Sequence, residues 1–394
     1  MEDRPKVALL IETARGYGRQ MLRGIVRYAR LHGPWGFYVT PGDFEQALPK
    51  MQQWGGTGII ARIETSKIAR AVVESGLPTI ALDLSERELE PGHPLAGFSE
   101  VASDSRSAAR MAADHLLQRG FQHYAFVGIA KRIWSERRES GFCETIAEAG
   151  YDVSVYQSPR AARDRVWERE QPRLAKWLAN LPKPAGVMAC NDDRGREVLE
   201  ACQAADIRVP EELAVIGVDN DELLCDLADP PLSSVALNAE GVGYRAAALL
   251  DRIMRNGQSE PQRLVAEPLH VITRRSTDMI AIEDPEVAAA LGYIHNHATE
   301  SIQVEDVVRH IAISRRGLEI RFQNAVGRTL HAELQRVRLE RARRFLLETD
   351  LPIPDVARAA GYNTACYFIQ VFRKEYDATP AQYRRQLRTG ETET

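Results

Sequence analysis

No apolar run among the 394 residues approaches the roughly 18 needed to cross a bilayer, and Met1–Lys6 has none of the layout of a signal peptide. A soluble cytoplasmic protein with no membrane role is expected. Cysteine is scarce: Cys143, Cys190, Cys202, Cys225 and Cys366 form no C-x-x-C pair and have no histidines at zinc spacing. Free core thiols are therefore expected, without a disulfide framework or a metal. The loops of phosphate and cofactor enzymes are missing as well. Gly16-Tyr17-Gly18 opens a helical stretch after an apolar run, but Met21 and Leu22 stand where a dinucleotide loop has its third glycine. There is no P-loop, no zinc-protease motif and no Gly-x-Ser-x-Gly elbow, and His93, His115 and His123 are scattered. With no chemical centre, the chain reads as a non-enzyme that needs no cofactor.

What is present is a composition typical of folded proteins, 44% apolar and 27% charged, over a length that calls for two or three domains. The net charge of −4 hides a split. Residues 285–394 hold 16 Arg/Lys against 14 Asp/Glu, or +2, and the remainder holds 35 against 41, or −6. That asymmetry agrees with DNA binding near the C-terminus but is too mild to establish it.

Residues 6–218 alternate short apolar runs with helical patterns. Strands are expected at Val7–Ile11, Gly36–Thr40, Gly58–Ala61, Pro78–Leu82, His123–Gly128, Asp152–Tyr156, Gly186–Cys190 and Leu213–Val218. Helices are expected between them, including Phe44–Gln53 and one from about Arg163. Continuous apolar strands separated by helices indicate parallel sheets covered on both faces, in two lobes. Ligands of such sheets bind beyond the carboxyl ends of the strands. The residues there are polar: Glu12, Asp83, Asn191 with Asp192, and Asp219. Carboxylates and amides at several strand ends can converge on a ligand rich in hydroxyls, with Arg138 as a charged donor and Trp134 as a flat wall. Any one of them could instead cap the next helix.

Near the C-terminus one apolar pattern occurs twice. Val304, Val307, Val308 and Ile311 recur 49 residues later as Ile353, Val356, Ala357 and Ala360, a spacing that places four side chains on one helical face. Ser314 and Thr364 follow as candidate caps, and Leu318/Phe322 and Phe368/Phe372 mark second helices. Helix, tight turn and helix, written twice, is a double helix-turn-helix, whose second helix leaves one face free for the major groove.

The stretches Ala81-Leu82-Asp83, Arg138-Glu139-Ser140-Gly141-Phe142, Cys190-Asn191-Asp192 and Val215-Ile216-Gly217-Val218-Asp219 resemble the sugar-binding core of lactose-repressor (LacI-type) and periplasmic ribose-binding proteins over about residues 5–275. The resemblance implies an α/β type I periplasmic-binding-protein-like fold of two Rossmann-like lobes. One lobe would be about 5–102 and 237–262, the other about 103–236 and 263–275, with a linker at 276–286. It also implies a sugar site at Asp83, Trp134, Arg138, Asn191, Asp192 and Asp219. Residues 287–388 resemble the arabinose-regulator (AraC-type) DNA-binding domain, with helix-turn-helix units at about 303–325 and 353–375. That likeness is carried by Ile313–Phe322, Ala359–Tyr362 and Phe372–Arg384.

The combination resembles regulators of xylose use, through Ala14–Gly24, Trp134 and Val271–Asp278 as well. It implies a sugar-responsive activator acting on a double-stranded DNA operator, with RNA polymerase and a second copy as partners and D-xylose as ligand. Asn191 departs from the expected pocket, so arabinose and ribose stay open. A transport protein would lack the helix-turn-helix tail. The DNA-binding face implied in the first unit is Ser314, Arg315, Arg316, Glu319 and Arg321, with Arg316 and Glu319 where base contacts are made, since arginine can bond guanine and glutamate cytosine. In the second unit it is Asn363, Thr364, Ala365, Tyr367 and Gln370, with Arg373 and Lys374 on phosphates. Arg336, Arg338, Arg341, Arg343 and Arg344 lie on the connecting helix, where a solvated or acid-paired face is the expected reading.

Overall fold

Two six-stranded sheets organise the first part of the molecule. The computed structural model describes residues 4–39, 51–159, 166–257, 260–279, 284–311 and 313–389, which fall into two compact units, 1–279 and 280–394. The strands of the first unit are β1 (Lys6–Leu10), β2 (Gly36–Val39), β3 (Gly58–Arg62), β4 (Thr79–Leu82), β5 (Ser99–Ser103), β6 (His123–Val127), β7 (Val153–Tyr156), β8 (Ala185–Ala189), β9 (Leu213–Val218), β10 (Ser233–Leu237), β11 (Arg263–Ala266) and β12 (Pro268–Ile272). The sheet orders are β11-β5-β4-β3-β1-β2 and β12-β10-β9-β8-β6-β7, parallel except for the β10–β12 pair. Strands such as β9, buried at every position, lie between helix layers, as their unbroken apolar sequence demands.

The helices of this unit are α1 (Gly16–His32), α2 (Met51–Trp54), α3 (Ser66–Ser75), α4 (Ser105–Leu117), α5 (Ile133–Glu148), α6 (Trp167–Ala179), α7 (Asp192–Ala204), α8 (Glu222–Leu227) and α9 (Ala239–Asn256). The expected helix starts at Phe44 and Arg163 lie outside the described residues. Four strands, β5, β10, β11 and β12, carried no readable signal. β5 is Ser-Glu-Val-Ala-Ser, yet all five residues are buried, because Glu100 accepts the Leu84 N–H and Ser103 bonds Asp83. Polar residues satisfied inside a sheet give no apolar pattern.

The chain passes between the lobes at Asp104, Asn238 and Glu267. The three passages are tied together: the Asp104 N–H donates to Ala266 O, and the Asn238 N–H to Glu267 O. Asp104 and Asn238 also cap α4 and α9, accepting the N–H of Ser107 and of Gly241. The third passage corrects the expected boundary at 263. Arg263–Ala266 pairs in register with Glu100–Ser103, so β11 completes the first sheet and the second lobe resumes only at β12. The expected linker starting at 276 also changes, because Ser276 and Thr277 are fully buried; Ser276 accepts the Ser233 N–H and donates to Val215 O. Residues 280–283 of that linker lie outside the described set.

The second unit is helical: α10 (Pro285–His297), α11 (Val304–Ile311), α12 (Arg315–Val326), α13 (Leu330–Glu348), α14 (Ile353–Ala359), α15 (Ala365–Tyr376) and α16 (Pro380–Thr389). Ser314 and Thr364 cap α12 and α15, accepting the N–H of Gly317 and of Tyr367. Leu318, Phe322, Phe368 and Phe372 are fully buried. Gly361 makes the second turn with φ 88°, and a Cβ there would lie 1.9 Å from Ala298 O. The 19-residue α13, roughly 28 Å long at 1.5 Å per residue, belongs to both halves. It packs on α11 and α12 near its start, while Leu339, Ala342 and Leu346 enter the core with Phe368 and Phe372.

Candidate functional site

Parallel register brings the carboxyl ends of the strands together. Leu10 lies opposite Ala61, and Arg62 opposite Leu82, so Glu12, Arg62 and Asp83 emerge side by side from the first sheet. Trp134 and Arg138, on the first turns of α5, Asn191 after β8 and Asp219 after β9 face them from the second. These residues, with Arg15, Tyr17 and Ser103, line one cleft.

The charges in the cleft balance. Arg62 pairs with Asp83 at 2.8 Å, Arg138 with Asp219 at 2.9 Å, and Arg15 with Glu12 at 3.1 Å. Asp83 also accepts the Ser103 N–H at 3.0 Å. Arg138 donates to Cys190 O as well, and its guanidinium lies 5.2 Å from the centre of the Trp134 ring. Burial pushes the Asp219 carboxyl above the ordinary carboxylate value, with Arg138 opposing it. Burial, then the nearby Asp83, pushes the Tyr17 phenol upward, so it is a neutral hydroxyl at physiological pH. Asp83 and Asp219 have φ of 49° and 103°, a left-handed backbone that is strained for a residue with a Cβ.

Two buried polar atoms of the cleft have no protein partner, Tyr17 Oη and Arg138 Nε. Buried donors normally find partners, so these two atoms are available to a ligand with complementary oxygens. The lobes meet around it. Arg15 pairs with Asp193 at 3.1 Å, Arg19 with Asp221 at 2.5 Å, and Arg132 with Glu64. Gly16 permits the approach, since a Cβ there would lie 2.6 Å from Asp221 Cβ.

Of the expected sugar residues, Asp83, Trp134, Arg138, Asn191 and Asp219 share this cleft and Asp192 does not. Asp192 is turned into the lobe, accepting the Asp221 N–H at 2.7 Å and the Ser234 hydroxyl at 2.5 Å. Burial, then the charge of Asp219, raises its carboxyl well above the ordinary value. Asn191 has both of its considered roles: its Oδ1 caps α7 on the Arg194 N–H at 3.0 Å, and it lines the cleft. Sequence reasoning noted Glu12 as a strand-end carboxylate but missed Arg15, Tyr17, Arg62 and Ser103. Arg62 was detectable as the polar end of Gly-Ile-Ile-Ala-Arg. Tyr17 is the middle residue of Gly16-Tyr17-Gly18, a stretch whose glycines carry no information about it.

In the helical unit, Arg315 and Arg316 are exposed on the first turn of α12, and Arg315 is held between Glu305 at 2.6 Å and Glu319 at 2.9 Å. Arg321, expected on the DNA-binding face, is ion-paired within the protein. It is clamped to Asp284 at 2.5 Å and Glu286 at 2.6 Å, fixing the N-terminus of α10, so its guanidinium is engaged within the protein. Ser314 and Thr364 use their oxygens as caps. On α15 and the turn before it, Asn363, Tyr367, Gln370, Arg373 and Lys374 are exposed and Ala365 is half-buried. Tyr367 accepts from Gln335 at 3.1 Å. Among the described residues the side chains of Arg316, Asn363, Gln370, Arg373 and Lys374 make no hydrogen bond or ion pair.

The connecting-helix arginines are structural. Arg336 pairs with Glu333 and Arg343 with Glu340, the acid-paired arrangement expected. Arg338, buried, donates to Ala298 O and Ile302 O, and Arg341 to His295 O, so both hold the chain around the end of α10. The Arg344 side chain lies outside the described residues. No group of metal-ligating side chains occurs among the described residues, and no helix there is long and apolar enough to cross a membrane.

Three family models match the chain in succession: an XylR N-terminal domain at residues 6–104, a periplasmic binding protein-like domain at 113–277 and a helix-turn-helix domain at 307–386. The chain is 36% identical to the xylose operon regulatory protein of Escherichia coli K12 over 385 residues, 97% of each chain. It is 33% identical to the protein of that name from Haemophilus influenzae, covering 96% of this chain and 98% of the other. A solved structure of a xylose-binding transcription activator, XylR, matches with a TM-score of 0.81 at 34% identity over 98% of both chains. A lobed ligand cleft joined to a double helix-turn-helix, along the full length of these relatives, places the chain in the family of xylose operon regulatory proteins.

Proposed function

We propose that this protein is a cytoplasmic transcription activator that binds D-xylose in the cleft and an operator through its two helix-turn-helix units. The observation that carries the sugar reading is a charge-balanced cleft of three carboxylates and three guanidiniums with two orphaned polar atoms. A hydroxyl both donates and accepts, so a polyol can bridge each Asp–Arg pair and also satisfy Tyr17 Oη and Arg138 Nε. A sugar phosphate would add a double negative charge with no surplus cation to meet it. Glu12, Asp83, Arg138, Asn191 and Asp219 bind the hydroxyls, and Trp134 covers the apolar face of the ring.

Sugar bound between the lobes stabilises their closed arrangement. It acts on transcription only in proportion to its differential affinity for the two states. Arg316 and Glu319 read bases in one major-groove segment, Asn363, Ala365, Tyr367 and Gln370 in the next, and Arg373 and Lys374 hold phosphates. The active species is a homodimer that recruits RNA polymerase. A calorimetric panel of xylose, arabinose, ribose, glucose and xylose 5-phosphate on the purified chain tests the reading, with operator binding measured in parallel. Xylose at 100 times its Kd should stabilise the protein by about 2.7 kcal/mol, and preferential binding of another sugar or of the phosphate would overturn it.

A further inference from the structure

Three consecutive residues at the end of β9 face three destinations. Asp219 lines the cleft and accepts from Arg138 at 2.9 Å. Asn220 accepts from Arg274 at 3.0 Å through its side chain, and its carbonyl takes Gln20 of the first lobe at 3.4 Å. Asp221 pairs with Arg19, also of the first lobe, at 2.5 Å. The tripeptide is held in an unfavourable conformation, with φ of 103° at Asp219 and 47° at Asn220. Such a segment persists only where its surroundings fix it. Here they are the buried Asp192, which takes the Asp221 N–H, and Ser234, which takes the Asn220 N–H at 3.0 Å.

Arg274 is the other end of this contact. Its Nη1 also donates to Leu232 O at 3.1 Å, and its Nε bonds Asp226 at 3.0 Å. Its backbone is fixed in both directions to Ser233, each bond 2.8 Å. The next residues, Ser276 and Thr277, are fully buried, and Thr277 bonds Ser233 and His115, each at 2.8 Å. Two residues later, at Met279, the unit ends and the chain continues into the helical unit. Arg274 does not touch the cleft. It joins the loop that carries a cleft carboxylate to the segment by which the sensor is continued into the DNA-binding unit.

We infer that Arg274, through its bond to Asn220, is the positioning residue that couples occupancy of the cleft to the segment leading to the DNA-binding unit. The inference rests on the sugar reading above. A sugar that bonds Asp219, or that alters the Asp221–Arg19 pair by moving the lobes, shifts the strained tripeptide. The Arg274–Asn220 bond transfers that shift to residues 274–277. Arg274 is thus required for communication and dispensable for either binding event.

The test uses the full chain with Arg274→Met, which keeps the length of the stem, and Asn220→Ala, which removes the side-chain acceptor. Operator Kd is measured by fluorescence anisotropy with and without saturating xylose, and xylose Kd by calorimetry with and without operator. By linkage the two ratios must agree. Both variants should bind xylose and operator separately within about threefold of wild type, while both ratios fall to twofold or less. If Arg274→Met does not fold, Asn220→Ala decides, because it leaves every other Arg274 bond in place. Wild-type ratios in Asn220→Ala, or loss of xylose binding in it, overturn the inference alone. A wild-type chain whose operator affinity ignores every sugar overturns the sugar reading with it.

Discussion

Replacing Tyr17 by phenylalanine should weaken sugar binding without weakening the fold. The Tyr17 hydroxyl is buried in the cleft and has no protein partner. A buried unsatisfied polar group costs about 1–3 kcal/mol, so its removal relieves the sugar-free protein of that cost. At about 2–4 °C per kcal/mol for a domain of this size, the sugar-free Tm should hold or rise by a few degrees. The bound sugar has the opposite sign. In wild type a sugar hydroxyl finds a donor already desolvated and fixed on the first turn of α1, and in the variant it faces a C–H edge. Xylose affinity should fall by about 1–3 kcal/mol, roughly 5- to 150-fold. Because burial raises the phenol above its ordinary value, the hydroxyl stays neutral and the deficit should be constant from about pH 5 to 9. Calorimetric titration and thermal unfolding with and without xylose measure both signs. Unchanged affinity, or a sugar-free Tm several degrees lower, would refute the reasoning, since either outcome means that the hydroxyl serves the protein instead of the ligand.

Other perturbations separate roles that sequence alone could not. Arg316→Ala should cost about 1–3 kcal/mol of operator affinity, whereas Arg321→Ala, which breaks the clamp on Asp284 and Glu286, should lower the Tm and leave the operator salt slope near wild type; equal operator losses would contradict the assignment. Gly16→Ala places a Cβ 2.6 Å from Asp221 Cβ, so lobe closure should be impeded and xylose affinity reduced by about 1–3 kcal/mol, with an unchanged affinity showing that closure does not need this contact. Glu333 is buried among His295, Arg336 and Arg328; burial opposes its ionisation, but the hydrogen bonds from His295 and Arg336 prevail and hold its carboxyl down at about 2. A carboxyl lowered in the folded state stabilises above its unfolded value, and that stability, about 3 kcal/mol, is lost as pH falls from about 4.5 to 2. Glu333→Gln should therefore flatten the acid limb of unfolding in that window, and an unaltered limb would show that Glu333 does not set it.

The parts of the molecule that were legible in the sequence were those with a period. β1, β3, β4 and β9 are unbroken apolar runs, and the two helix-turn-helix units carry a stripe repeated at 49 residues, so both were placed within a residue or two. β5 escaped because its serines and glutamate are buried by hydrogen bonding, and β11 because a strand on a sheet edge needs no apolar face. In the cleft, carboxylates at strand ends were visible because a polar residue ends an apolar run. The arginines opposite them were not, since an arginine on a short loop reads as surface until the fold shows its partner. Asp192 and Asn191 are neighbours in the same motif, and only the turn of α7 decides that one lines the cleft and the other supports it from behind. Arg321 shows the same limit. Its position on α12 suits DNA, but Asp284, 37 residues earlier, lies beside it in space and pairs with it.

The sharing of α13 between both helical cores has a consequence for operator choice. Since Leu339, Ala342 and Leu346 are packed into the second half while the start of the same helix is packed into the first, neither reading helix can reposition without disturbing a core. Once one is seated, the other samples its site at an effective concentration fixed by geometry, which a flexible tether would spread over many positions. Avidity then depends steeply on spacing. An operator whose two blocks are moved apart by half a turn places the second on the opposite face of the duplex, and the whole contribution of the second unit is lost.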